Sequence, residues 1–185
     1  MPSSNGLAYI YCNYKEREKQ TLTNLIASLV QQLVLYSSAV PDEVCALHAY
    51  HEVRKTRPGD ADYSKIIRPI ISSFSRVYVV VDALDECNES NGTRSKLIEE
   101  LKALPANAQL LCTSRRLGDI EKSFALASHL EIRARDADME IFLNAQISQT
   151  PRLLEFCTTF KDLQSTIIEK LVEKAKGMSV SSKGP

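Results

Sequence analysis

The 185-residue sequence contains no tryptophan, only six glycines and no excess of charge of either sign, with 23 Lys and Arg against 23 Asp and Glu. Without a basic surplus, nothing electrostatic points to nucleic acid or to an anionic lipid surface. No apolar run approaches the ~20 residues that a membrane-spanning helix needs. The start, Met1-Pro2-Ser3-Ser4-Asn5-Gly6, lacks the charged-then-apolar layout of a secretory signal. The glycines are Gly6, Gly59, Gly92, Gly118, Gly177 and Gly184, and none of them begins or completes a Gly-x-x-x-x-Gly-Lys-[Ser/Thr] phosphate loop. Cys-x-x-Cys pairs are missing too. Cys12, Cys45, Cys87, Cys112 and Cys157 are odd in number and scattered, as expected of reduced thiols in a cytoplasmic protein. The sequons at Asn88 and Asn91 are then coincidental.

What is present is an alternation of strand-like and helix-like segments. Leu7 to Cys12 is short, apolar and aromatic, as a buried strand should be. Leu22, Leu25, Ile26, Leu29, Val30, Leu33 and Val34 recur at helical spacing. Pro41-Asp42-Glu43 opens a second helix expected to run to about Lys55. Tyr63, Ile66, Ile67, Ile70, Ile71 and Phe74 mark a third, which Pro69 should kink or whose real start it should mark. Val77 to Val81 is a continuous β-branched run of the kind found in parallel strands buried on both faces. A helix carrying Leu97, Ile98, Leu101 and Leu104, a strand at Gln109–Thr113 and a wetter strand at His129–Arg133 follow. Two helices are expected beyond them, one capped by Asp136 and one carrying Leu163 to Ala175, with Gly177 at its cap. The fold class is α/β with a parallel sheet. Its expected divisions are an α/β core over residues 7–135, a helical lobe over 136–178 and a disordered tail over 179–185.

The chemistry concentrates at two strand ends. In Val77-Tyr78-Val79-Val80-Val81-Asp82-Ala83-Leu84-Asp85-Glu86-Cys87 a buried strand gives way at once to acids. Ligands of open parallel sheets bind beyond the carboxyl ends of the strands. Asp82 there is a candidate Mg²⁺ ligand, and Asp85 and Glu86 are close enough to act on a water attacking a terminal phosphate. In Leu110-Leu111-Cys112-Thr113-Ser114-Arg115 the strand ends in hydroxyls and a cation, and Arg115 could neutralise a γ-phosphate by forked hydrogen bonds. Cys45, His48 and His51 share helical spacing but lack a fourth ligand for zinc, and Cys157 lacks a His or Asp partner for nucleophilic work.

Together these stretches resemble the NACHT subgroup of STAND P-loop NTPases, and more narrowly the nephrocystin-like N-terminal domain of fungal NLR-like proteins. Tyr9-Ile10-Tyr11-Cys12-Asn13-Tyr14, the Leu22 to Val34 helix and Lys174-Ala175-Lys176-Gly177-Met178 fit the same family, so the resemblance covers about Leu7 to Met178. It implies a three-layer sheet of P-loop NTPase type, with Asp82 serving Mg²⁺ at a Walker B position and Asp85 or Glu86 orienting water. Arg115, with Ser114, would sense the γ-phosphate of ATP or GTP.

The departure is equally specific. The first strand, the phosphate loop and its helix are missing, and with them the amide nest and lysine that hold phosphates. In the family that strand lies between those at Leu110 and His129, so its loss should leave exposed edges or an empty slot. Either the strands re-pair or a partner supplies one. The expectation is a truncated, NACHT-derived signalling or regulatory module. It binds protein partners such as other STAND or NLR-like proteins, but neither nucleic acid nor membrane, and on its own holds no nucleotide or does not hydrolyse it. One alternative is an NTPase whose phosphate loop is replaced or supplied in trans; another is a metal-dependent phosphohydrolase using the acids alone.

Overall fold

Along Asn5–Tyr11 (β1) every second residue is buried: Gly6, Ala8 and Ile10 turn inward, while Asn5, Leu7, Tyr9 and Tyr11 stay exposed. The computed structural model describes residues 5–37, 39–132, 135–175 and 180–182. At Gly6 the packing is close: a Cβ there would lie 3.1 Å from Leu33 Cδ2 and 3.3 Å from Phe74 Cδ1, so those side chains would have to give way.

Thr21 opens α1 (Leu22–Tyr36) by accepting the Asn24 N–H at 3.2 Å. The helix buries the stripe read from its spacing, Leu22, Leu25, Ile26, Leu29, Val30 and Leu33. α2 (Asp42–Arg54) ends where Lys55 turns left-handed, at φ 53°. In α3 (Asp60–Ser72) the Asp62 carboxylate accepts the Gly59 N–H at 2.8 Å, closing the first turn. Pro69 lies inside α3 and does not mark its start. It falls in the last turn, so only one carbonyl, that of Lys65, loses its helical donor.

β2 (Arg76–Asp82) and β3 (Ala108–Arg115) are joined through α4 (Thr93–Lys102), and β1, β2 and β3 pair in parallel. Asn107 fixes the start of β3 to the end of α3, donating to the Ile71 and Phe74 carbonyls at 2.8 and 2.9 Å. A short helix that the spacing did not reveal, α5 (Gly118–Ser123), buries Ile120. β4 (Leu130–Ile132) follows. α6 (Asp136–Gln149), α7 (Pro151–Thr159), also unforeseen, and α8 (Leu163–Ala175) come next, and β5 (Val180–Ser182) is last. Asp136 is the first residue of α6 and does not cap it; Arg135 holds the cap position without a side-chain bond. The strand order is β1-β2-β3-β5-β4. β5 falls within the segment expected to be a disordered tail; the rest of that segment, and the cap expected at Gly177, lie outside the described residues.

The chain divides into two compact units, Met1–Leu130 with Ser181–Pro185, and Glu131–Val180. In the second unit Ile147, Cys157 and Val172 are buried and Gln164 Nε2 donates to Asn144 Oδ1 at 2.7 Å.

The first unit corrects the three-layer expectation. Its register sets Ala8 beside Val79 and Ile10 beside Val81, and this face is sealed by α1, α3 and α4. The opposite face aligns Leu7 with Tyr78, and Tyr9 with Val80 and Leu111. Leu7, Tyr9, Tyr78 and Leu111 are exposed, so among the described residues this unit has two layers. Strand order explains it. β1, β2 and β3 advance in one direction, and right-handed crossovers between parallel neighbours that advance one way put every connecting helix on the same side.

The outer edge of β1 is not left bare. The Gln32 side-chain amide accepts the Tyr9 N–H at 3.0 Å and donates to the Tyr9 carbonyl at 2.9 Å. Gln20 donates to the Tyr11 carbonyl at 2.8 Å and accepts the Asn13 N–H at 2.9 Å.

Candidate functional site

At the carboxyl end of β2 the chain makes a tight turn whose shape follows from two buried anchors. Leu84 and Cys87 are driven into the core, and the single 3-10 turn Leu84–Glu86 lies between them. Reaching it forces Ala83 into the left-handed region, at φ 55° and ψ 46°, which costs a non-glycine residue on the order of 1 kcal/mol. The Ala83 N–H is satisfied by Thr113 Oγ1 at 2.9 Å, and the same hydroxyl bonds the Asp82 carboxylate.

Each of the three acids already has a protein partner. Asp82 pairs with Thr113 across the β2–β3 register. Asp85 accepts the Arg115 backbone N–H at 3.0 Å and the Arg115 Nε–H at 2.5 Å, and only 5 % of its side chain remains accessible. Glu86 Oε2 accepts the Tyr14 N–H at 3.2 Å, tying the turn to the segment after β1. Hydrogen bonding to Asp85, with its negative charge, raises the Arg115 guanidinium above its already high pKa.

With Asp82 bonded to Thr113 on the neighbouring strand, Asp85 and Arg115 are brought together. Ser114 is not: it is buried on the packed face, and its hydroxyl donates to the Arg115 carbonyl. Two residues escaped the sequence reading. Thr113 could have been found, because strand alternation puts it and not Ser114 on the side of Asp82. Arg94 carried no signal in its spacing. It is buried at the start of α4, donating to the Asp85 carbonyl at 3.3 Å and to Asp119 at 2.6 Å, with Glu89 at 3.6 Å. Burial, the largest single influence, would raise the Asp119 carboxyl, but the Arg94 charge, the Asp119 and Ile120 backbone N–H groups and the Arg94 hydrogen bond together outweigh it, and the net shift is downward.

Beneath the turn lies a thiol pair. Cys12, hydrogen-bonded to Cys87 and buried, holds its proton well above the ordinary thiol range, while Cys87 is moved down by that hydrogen bond and by Arg94. The zinc arrangement is not formed. Cys45 is exposed, His48 faces Glu52 at 3.7 Å and His51 Nδ1 is 2.7 Å from Thr56 Oγ1. Among the described residues no group of three or more His, Cys, Asp or Glu is placed to hold a metal ion, and no helix is long and apolar enough to cross a membrane.

Comparison with curated proteins and with solved structures returned no match. The sequence pattern of the family described as Nephrocystin 3, N-terminal matches residues 2–115. The match takes in β1, β2 and β3 and stops at Arg115, the residue that clamps Asp85. The chain belongs to the nephrocystin 3 N-terminal family, and the strand-end turn lies inside the matched region.

Proposed function

We propose that the chain is a NACHT-type, STAND-related regulatory module whose Walker B-like strand end works as a structural latch, and that it does not hydrolyse nucleotide on its own. The observation that supports this is the Asp85–Arg115 pair: the acid meant for water and the cation meant for phosphate are bonded to each other. A Mg²⁺–nucleotide site would ask for a carboxylate, a phosphate cradle and a free cation. The residues here supply Asp82 engaged by Thr113, no Gly-Lys-[Ser/Thr] loop, and a cation already paired. They do not fit the group. The phosphohydrolase alternative needs converging acids, and Asp85 and Glu86 point to different partners. In this reading the module is cytoplasmic and acts through protein partners, other STAND or NLR-like proteins among them.

Thermal unfolding with and without Mg·ATP or Mg·GTP tests the proposal, together with phosphate release. A ligand at about 100 times its Kd adds roughly 2.7 kcal/mol of stability. The expected result is one cooperative melt, unmoved by either nucleotide, with phosphate release at the blank. Asp85→Ala, which removes the acceptor of two N–H groups of the solvent-exposed Arg115, should lower stability by about 1 kcal/mol. A nucleotide-dependent shift abolished by Asp82→Ala would instead support the reading in which the phosphate cradle comes from another chain. One observation favours that reading: Arg115 stays 63 % exposed while paired.

A further inference from the structure

Cys12 is buried one step beyond β1, where it continues the inward alternation of Gly6, Ala8 and Ile10 on the packed face. Cys87 closes the 3-10 turn Leu84–Glu86 and enters the same core. Two bonds hold the backbones together around the pair. The Cys12 N–H donates to the Asp82 carbonyl at 3.0 Å, and the Tyr14 N–H donates to Glu86 Oε2 at 3.2 Å. Donors converge on the Cys87 sulfur. The Cys12 thiol and the Asn88 N–H both bond to it, and the Arg94 charge acts on it from the start of α4. Arg94 is itself buried, and its Nε–H has no hydrogen-bond acceptor, with Glu89 at 3.6 Å. The Cys12 hydrogen bond is the largest of these influences. Against burial and the Glu89 charge, they favour the thiolate of Cys87, the form of a cysteine that oxidants attack.

We propose that Cys12 and Cys87 are a redox pair, converted by a hydroperoxide into a disulfide that ties the strand-end turn to the end of β1. The Cys87 thiolate attacks one oxygen of hydrogen peroxide and the O–O bond breaks. Hydroxide leaves and takes up the proton that the thiol released, and Cys87 becomes a sulfenic acid. The Cys12 sulfur then displaces the sulfenic hydroxyl, which leaves as water with the Cys12 proton, and the S–S bond closes. Two thiols lose two electrons and two protons, and one peroxide becomes two waters. Burial selects this product: oxidised Cys87, 1 % exposed, meets Cys12 and no thiol of a second chain. Hydrogen-bonded thiols already stand in contact, so reaching a bond of about 2.05 Å asks for a movement of less than ~2 Å. A dithiol reductant reverses the step, which suits a compartment where disulfides are transient and act as sensors. The pair lies on the face sealed by α1, α3 and α4, and it does not rest on the nucleotide reading.

The experiment treats the folded full chain with hydrogen peroxide, then alkylates it and maps its peptides without reduction. A Cys45→Ser background removes the exposed thiol, and a thermal melt of every variant is the folding control. The expected product is one Cys12–Cys87 disulfide within each chain, reversed by dithiothreitol. Its melting temperature should stand several degrees above that of the reduced chain, because the bond constrains the unfolded state. In Cys12→Ser the same treatment should leave a sulfenic acid at Cys87 that dimedone traps. The two charges near Cys87 should act with opposite signs: Glu89→Gln should speed disulfide formation and Arg94→Gln should slow it. Each change should be about threefold, since a tenfold change in thiolate is partly offset by the opposite change in its nucleophilicity. Thiols that stay reduced until the chain unfolds overturn the proposal. So does a disulfide to Cys112, or equal acceleration in both charge variants, which would mark simple loosening of the fold. If Cys12→Ser fails to melt cooperatively, the mapped disulfide and the Glu89→Gln rate decide.

Discussion

The two faces of the β1-β2-β3 sheet are both apolar in their middle and have opposite fates. Ala8, Ile10, Val77, Val79 and Val81 lie in the core under α1 and α3, while Leu7, Tyr9, Tyr11, Tyr78 and Leu111 meet solvent. In the middle of the sheet side-chain polarity therefore does not tell which face is covered, although Arg76 and Asp82 mark the ends of the exposed one. Connectivity does: three parallel neighbours that advance in one direction gather their crossover helices on one side.

The sharpest way to break this comparison is one truncation on each face. Leu33→Ala, beneath the packed face, should cost about 2–5 kcal/mol in denaturant unfolding. Tyr78→Ser should stay within about 1 kcal/mol of the parent. Equal costs would mean that the second face is also core. Gly6→Ala comes next. Its new Cβ would press on Leu33, Phe74 and Val77, and a loss of about 1–3 kcal/mol is expected, while Asn5→Ala, one residue away on the open side, should be near neutral.

The remaining two predictions carry the comparison to the strand end. The Asp119 carboxyl is lowered on folding, so its contribution is complete above the ordinary carboxyl range of about 3.9 and fades as pH falls through the lowered value. Asp119→Asn should flatten that part of the acid limb in a melting-temperature series, and an unchanged limb would show that Arg94 gains nothing from this partner. The smallest effect is expected at Ala83. Glycine suits φ 55°, so Ala83→Gly should be neutral or stabilising by less than about 1 kcal/mol, and Ala83→Val should be destabilising by more than that.

Much of this architecture was legible beforehand. The stripe of α1, the strand at Val77 to Val81 and the acid-bearing turn after it all stand where periodicity and composition put them. The burial of that strand on both faces was misread, because the open-face residues Tyr78 and Val80 are themselves apolar and no alternation of polarity betrays them. α5 went unseen since six residues are too few for a periodic stripe. At the site, Asp82, Asp85 and Arg115 were visible as strand-end residues. That Asp85 and Arg115 hold each other was not, because pairing across 30 positions is set by sheet register and leaves no local trace.

The amides at the rim of β1 have a consequence for the size of what this chain can build. Edge pairing is open-ended, because each added strand offers a fresh edge. Gln32, by bonding both backbone groups of Tyr9, acts as a chain terminator in the polymer sense: it withholds from an incoming strand the groups on which growth at this rim would start. A single side chain on α1 thereby closes that stretch of the rim to strand addition.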